Sequence, residues 1–371
     1  MARFPSLSTA GNAVPASIFA RLREHLATFK GDIIPLQIGD THLAPPAVLD
    51  EIAWTQPSDL YAYGAPGGWQ PLVEALVEKA RRINRIDVAA AGVQVAVGGT
   101  HALSCAVQAL CDRGEELVLL TPHWPLIKGI ALAHSVVPVE VGFTADIPVN
   151  PRTAAIYVAT PNNPDGAMLD ADARARIVET ARRHDLWVLS DEVYEHYGYD
   201  AEHVSLATLA PERTITVFSF AKSYAQAGLR VGYALGPDAA IAAIRKLVNH
   251  SVYNVPVAMQ RAALAALQRG DGFLATARSR YAAARDRARA RLTAPAALPP
   301  GGAYLWVDFS PYAGADCMPV LEKIAAAGVL LAPGWAFGDS CGSHARLCFT
   351  GVDEARLDEG IDRINRVLAA L

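Results

Sequence analysis

Between residues 94 and 235, short apolar runs alternate with longer segments of helical periodicity. Runs at 94–97, 116–120, 136–141, 154–159, 186–190, 214–218 and 231–235 read as strands. Segments 101–111, 126–133 and 170–184 read as helices, the last with Asp170 placed to cap it and Asp172 in its first turn. Parallel neighbours in a sheet need a long crossover, so this alternation predicts an α/β fold with a mostly parallel central sheet flanked by helices. The 231–235 run follows its predecessor through a loop, so a break in the parallel order is expected there.

Beyond this block the pattern changes. An Ala/Arg-rich helical stretch at 273–292 leads to the turn Pro299-Pro300-Gly301-Gly302. Strands are expected at 303–309, 329–332 and 345–349, and helices at 317–327 and 353–371. A chain of 371 residues is long enough for two domains. The expected division is a large α/β domain over 45–275 and a smaller α+β domain combining 1–44 with 276–371, because the first sheet pattern starts only near residue 94.

Composition removes several classes. A net charge of −4, without a long basic run, argues against nucleic acid as a partner. Five cysteines without a C-x-x-C pair argue against a disulfide framework or a metal cage, so no metal is expected. No leader-like segment or long uncharged apolar stretch is visible, and a cytoplasmic setting is expected.

The most reactive pattern is Ser219-Phe220-Ala221-Lys222-Ser223, followed by Gly228-Leu229-Arg230-Val231-Gly232. A lysine at a strand end can be desolvated, which lowers its pKa and frees the neutral amine to attack a carbonyl. A hydroxyl three residues before it and a guanidinium eight after it suit a phosphate. A Schiff-base lysine beside a phosphate cradle points to pyridoxal 5'-phosphate (PLP).

Other strand ends carry polar groups where α/β sheets present their chemistry. They are Gly98-Gly99-Thr100-His101 before a helix, Thr160-Pro161-Asn162-Asn163-Pro164-Asp165-Gly166, and Ser190-Asp191-Glu192-Val193-Tyr194. Each alone is also what a turn or a helix cap looks like.

Together, their order and spacing resemble the class I/II aminotransferases, which are fold type I PLP enzymes, from about Gly39 to Arg346. The layout is most similar to the aspartate/aromatic branch. The resemblance implies that Lys222 forms the Schiff base with PLP and carries the proton at the substrate Cα. It implies that Asp191 pairs with the pyridine nitrogen, while Asn163 and Tyr194 bond the ring 3-oxygen. Gly99, Thr100, Ser219 and Arg230 would hold the phosphate, and Trp124 would stack on the ring. Arg346 would grip the substrate α-carboxylate, with Gly39 and Asn163 beside it. Tyr63, in Tyr63-Gly64-Ala65-Pro66-Gly67-Gly68-Trp69, would reach the phosphate of a neighbouring subunit in a homodimer, with Tyr61 the competing assignment.

The chain departs from the family pattern at Ala221, Asp165 and Val73, none of which removes a catalytic group. It also lacks the second cation with which dicarboxylate-specific relatives hold a side-chain carboxylate: 247–258 contains no Arg or Lys, and Thr100 stands where one branch has a lysine. Lys128 or His101 could stand in. Otherwise Trp124, His42, Tyr253 and Tyr304 would line a pocket for a neutral or aromatic side chain.

The expected activity is transfer of an amino group from an L-α-amino acid to a 2-oxo acid by a ping-pong route. A β-lyase, cyclase or oxidase using the same groups is the alternative. An effector-sensing role in a transcription regulator would need a DNA-binding segment that the sequence does not display.

Overall fold

The computed structural model describes residues 6–16, 29–54 and 58–371. Its centre is a seven-stranded sheet of β2 (Val93–Ala96), β3 (Glu116–Thr121), β4 (Val137–Gly142), β5 (Thr153–Ala159), β6 (Trp187–Asp191), β7 (Thr214–Ser219) and β8 (Gly232–Leu235). The spatial order is β2-β8-β7-β6-β5-β3-β4, and β8 alone runs against its neighbours, as the missing crossover helix foretold. Strands β3 and β7 are buried along their whole length, as sheets covered on both faces require. Pro138 lies on β4, an edge strand, where a missing N–H leaves no interior ladder broken.

Helices cover both faces. They include α1 (Gln70–Lys79), α2 (Gly98–Leu110), α3 (Pro125–Ala133) and α4 (Ala171–Arg183), of which α2 lines the site. The Asp170 side chain caps α4 by accepting from Ala173 N at 2.7 Å, and Ile177, Val178 and Ala181 face the sheet. Two helices not anticipated from sequence follow β8: α5 (Asp238–Val252) and α6 (Val257–Arg269). Each begins after a proline, Pro237 and Pro256, and neither has a side-chain cap to announce it.

Helix α7 (Asp271–Arg291) leads to a three-stranded antiparallel sheet, β11-β12-β9, of β9 (Tyr304–Asp308), β11 (Ala332–Pro333) and β12 (His344–Cys348). The expected 329–332 strand is interrupted at Leu331. Its first half, β10 (Val329–Leu330), pairs in parallel with β1 (Ile34–Pro35) instead. Helices α8 (Met318–Ala326) and α9 (Glu354–Ala369) complete this smaller layer, whose core joins Ile34 and Leu36 to Leu305, Ile324 and Ile361. The short helix Thr9–Ala13 lies elsewhere: Val14 and Pro15 pack beside Gly129 on α3.

Candidate active site

Three adjacent parallel strands end together. Register pairs Ala159 with Asp191 and Asp191 with Val217, while Ser219 lies opposite Gly232. A cavity of about 230 Å³ opens at this edge and is closed from the other side by Gly39, Tyr304 and Arg346. Among the residues singled out from sequence, Gly39, Gly99, Thr100, Trp124, Asn163, Asp191, Tyr194, Ser219, Lys222, Arg230 and Arg346 all line it.

Lys222 sits on a one-turn helix, Phe220–Ser223, that starts where β7 stops. Ser219 caps that turn, its hydroxyl accepting from Ala221 N at 3.2 Å. The Lys222 ammonium donates to the Gly39 carbonyl. Burial pulls its pKa below the usual lysine range, and the charges of Arg346 and Arg230 act in the same direction, against Asp40 and Cys348.

Asp191 is buried at the end of β6. Burial raises its carboxyl to about 6, and the nearby Glu192 adds to this, whereas hydrogen bonds from Tyr157 Oη at 2.9 Å and Val193 N at 3.4 Å oppose it. Such a group is ready to receive a cationic partner from the cavity.

The phosphate end is set by backbone packing. Gly98 has φ +77°, and a Cβ there would lie 2.7 Å from Arg230 Nη2. A Cβ on Gly232 would fall 2.6 Å from Gly98 C and Gly99 N. Glycines therefore bring the start of α2, with its free N–H groups, against β8 and the Arg230 side chain. Arg230 itself adopts φ +56° and donates to the Ala227 carbonyl at 2.9 Å.

At the opposite wall, the Arg346 guanidinium donates to Asn163 Oδ1 at 2.7 Å and to the Gln37 carbonyl at 2.6 Å. It lies over the rings of Tyr304 and Phe337, 4.3 and 5.0 Å from their centroids, and its buried Nε has no partner among the described residues. The hydroxyls of Tyr194 and Tyr304 are bonded to each other. Burial lifts Tyr194 well above the ordinary phenol range and Tyr304 to about 12.

Some expected residues lie elsewhere. Tyr63 and Tyr61 are 84% and 78% exposed and do not line the cavity, and the Tyr63 ring rests against Tyr253. Of the four residues expected around a neutral side chain, Trp124 and Tyr304 line the cavity, whereas His42 and Tyr253 do not. Lys128 is engaged by Glu140 and Asp339, at 2.7 and 2.8 Å. His101 accepts from Val97 N and meets Ser251 Oγ, so neither substitute cation reaches the cavity. Sequence reasoning missed Tyr157, which sits in an apolar strand and reads as core, and Gln37, which acts through its carbonyl. The one available signal was the phenol itself, since a buried tyrosine hydroxyl needs a partner.

The residues present fit PLP: a partly desolvated lysine, a buried acid for a ring nitrogen, and a glycine-built helix start with a serine and an arginine for a phosphate. An open α/β sheet presenting this set at its strand ends defines a PLP-dependent enzyme. Residues 31–364 match the family model for aminotransferase class I and II. The aspartate/prephenate aminotransferase of Thermus thermophilus is 36% identical over 324 residues, which cover 82% of this chain and 83% of that protein. A structure of Thermus thermophilus aspartate aminotransferase with maleate superposes with a TM-score of 0.90 at 32% identity, covering 98% of this chain and all of the other. The N-succinyldiaminopimelate aminotransferase of Mycobacterium tuberculosis gives a TM-score of 0.88 at 28% identity, with 98% and 100% covered.

The chain belongs to the class I and II aminotransferase family. It is a PLP-dependent transaminase, and its substrates are an amino acid and a 2-oxo acid. The relatives are aminotransferases, and a lyase, cyclase or oxidase is not favoured. Among the described residues, no helix is long and apolar enough to cross a membrane.

Proposed function

We propose that this transaminase prefers an L-amino acid with an uncharged side chain, and that the residues around the cavity divide the work as follows. Arg346 holds the α-carboxylate with its planar fork, aided by Asn163 and the Gly39 backbone. Lys222 anchors PLP and, once released, moves the proton at the substrate Cα through Nζ. The lowered pKa of Nζ suits this task, because a neutral amine can accept the proton. Asp191 pairs with the ring nitrogen, while Asn163 and Tyr194 bond the ring 3-oxygen. Gly99, Thr100, Ser219 and Arg230 take the phosphate, and Trp124 lies on the ring. When bound, PLP supplies an electron sink for the pair left as the Cα–H bond breaks.

The observation that carries this reading is that Lys222, Asp191 and Arg346 line one cavity, although Asp191 and Arg346 lie 155 positions apart. Among the described residues, Lys222, Arg230 and Arg346 are the lining cations, and each is already assigned. A side-chain carboxylate would therefore enter without a further counter-charge from the described residues, which is costly in a partly buried site.

The exposure of Tyr63 and Tyr61 supports a homodimer in which one of them, Tyr63 in our assignment, completes the neighbouring site. The pairing of β1 with β10 supports a large domain over 45–275 and a smaller one made of 1–44 with 276–371, with residues 6–16 reaching back to α3. A reducing, cytoplasmic setting accords with five unpaired cysteines.

The test is a panel of aspartate, alanine, phenylalanine and histidine, scored by the absorption shift of the bound cofactor to shorter wavelength. Phenylalanine or alanine should react faster than aspartate, and a strong aspartate preference would overturn the substrate reading. Lys222→Ala should abolish multiple-turnover transfer, and a wild-type rate would overturn the lysine assignment.

A further inference from the structure

We propose that Tyr157 is a positioning residue for Asp191, tethering one carboxylate oxygen so that the other is presented to the cofactor ring nitrogen. This rests on the reading of Asp191 as the ring-nitrogen partner. Tyr157 lies in the middle of β5, paired with Leu189 on β6, and is fully buried. Its ring packs in the core cluster beneath α2 with Ala102, Leu189 and Val217. Its hydroxyl reaches along the sheet to Asp191 Oδ2 at 2.9 Å.

The direction of that bond is settled by chemistry. Burial and the adjacent Asp191 charge keep the phenol protonated far above the ordinary range. Tyr157 is therefore the donor and Asp191 the acceptor. Among the described residues, Oδ1 receives only a long contact from Val193 N, 3.4 Å, and Asp191 lines the cavity. One oxygen is thus committed to the sheet interior and the other remains for a ligand. A donor on the buried oxygen also favours the ionised carboxylate, opposing the burial that would neutralise it. An apolar side chain at 157 would fill the core equally well but would leave Asp191 free to rotate and easier to protonate.

The other charged groups around Asp191 are distinguishable from Tyr157. Glu192 follows it in sequence, but its carboxylate is turned to His203, Ser190 and Ser205. Lys222, Arg230 and Arg346 face it across the cavity, while α2 contributes Gly99, Thr100 and Leu103, none of them charged.

The experiment compares holoenzymes of wild type, Tyr157→Phe, Asp191→Asn and the double variant. The readouts are the PLP dissociation constant, the half-reaction rate and the pH profile of kcat/KM. Tyr157→Phe should weaken PLP at least fivefold and move the acid limb of the profile to higher pH. In the Asp191→Asn background, the same change should have no further effect on PLP. Wild-type affinity and an unmoved acid limb in Tyr157→Phe, with Asp191→Asn impaired, would overturn the tether alone. An unimpaired Asp191→Asn would overturn the reading of Asp191 and the tether with it. Should Tyr157→Phe fail to fold, 3,5-difluorotyrosine at 157, a stronger donor, should move the acid limb to lower pH, and an unmoved limb overturns the proposal.

Discussion

Arg346 and Asn163 are joined by a 2.7 Å hydrogen bond between the small antiparallel sheet and the turn that follows the central parallel strand β5. The two residues are 183 positions apart, and the bond holds the guanidinium in the cavity wall. The carboxylate fork is therefore held in place before any substrate arrives.

Replacing Arg346 tests that arrangement. Arg346→Lys keeps a charge but loses the fork, and Arg346→Ala loses both. With charged hydrogen bonds contributing about 1.5–3 kcal/mol each, kcat/KM should fall about tenfold for Lys and at least about 100-fold for Ala. Steady-state kinetics across amino acids of different side chains should show the same loss for each, because every substrate shares the α-carboxylate. A loss confined to one side chain would place Arg346 at the side-chain end.

Gly98→Ala should weaken cofactor retention. The residue sits at φ +77°, and its new methyl would meet Arg230 Nη2 at 2.7 Å. Backbone strain of about 1–2 kcal/mol would be joined by displacement of the Arg230 head from the phosphate end. Equilibrium dialysis should show PLP affinity reduced about tenfold, with smaller change in the affinity for a carboxylate inhibitor at Arg346. An unchanged PLP affinity would remove Arg230 from the phosphate site.

His203 and Glu192 supply a pH test away from the cavity. Both side chains are buried and their contact is 2.8 Å. Burial lowers the imidazole pKa, but the charge and hydrogen bond of Glu192 outweigh it and hold His203 above its usual value. The unfolded value is about 6.5, so the stabilisation is complete below that pH and is lost as pH rises through the higher folded-state value. The unfolding free energy of wild type minus that of His203→Gln should be constant below about pH 6 and shrink in alkaline buffer. A difference that grows with pH would mean that the imidazole is neutral in the folded protein.

The central sheet was legible because a buried parallel strand must be apolar and its crossover must be helical. The reversal of β8 was legible for the converse reason, the loop in place of a helix. Lys222, Ser219 and Arg230 lie within one short segment, so local spacing exposed them. Arg346 could be assigned only by resemblance, since its partners Asn163 and Gln37 are remote in sequence. Tyr157 was hidden by its own burial: an aromatic residue inside an apolar strand looks like packing until its hydroxyl is placed. Lys128 and His101 show the opposite failure. Each stands near the right motif, but Lys128 is taken up by two acids, and His101 is a neutral ring whose Nδ1 accepts from the start of its own helix.

The reversed strand bears on how this enzyme can vary. Because β8 returns beside β7, with Gly232 opposite Ser219, residues 220–231 leave and re-enter the sheet at the same edge. Lys222 and Arg230 are both carried on that single excursion. Added length between them would pull the phosphate cation away from the reactive amine, while added length at the opposite end of β8, near Gly236, would alter neither. The loop after β7 should therefore keep its length as the family diversifies, and new substrate preferences should arise from the apolar and aromatic side chains that line the cavity, Trp124, Leu103 and Tyr304.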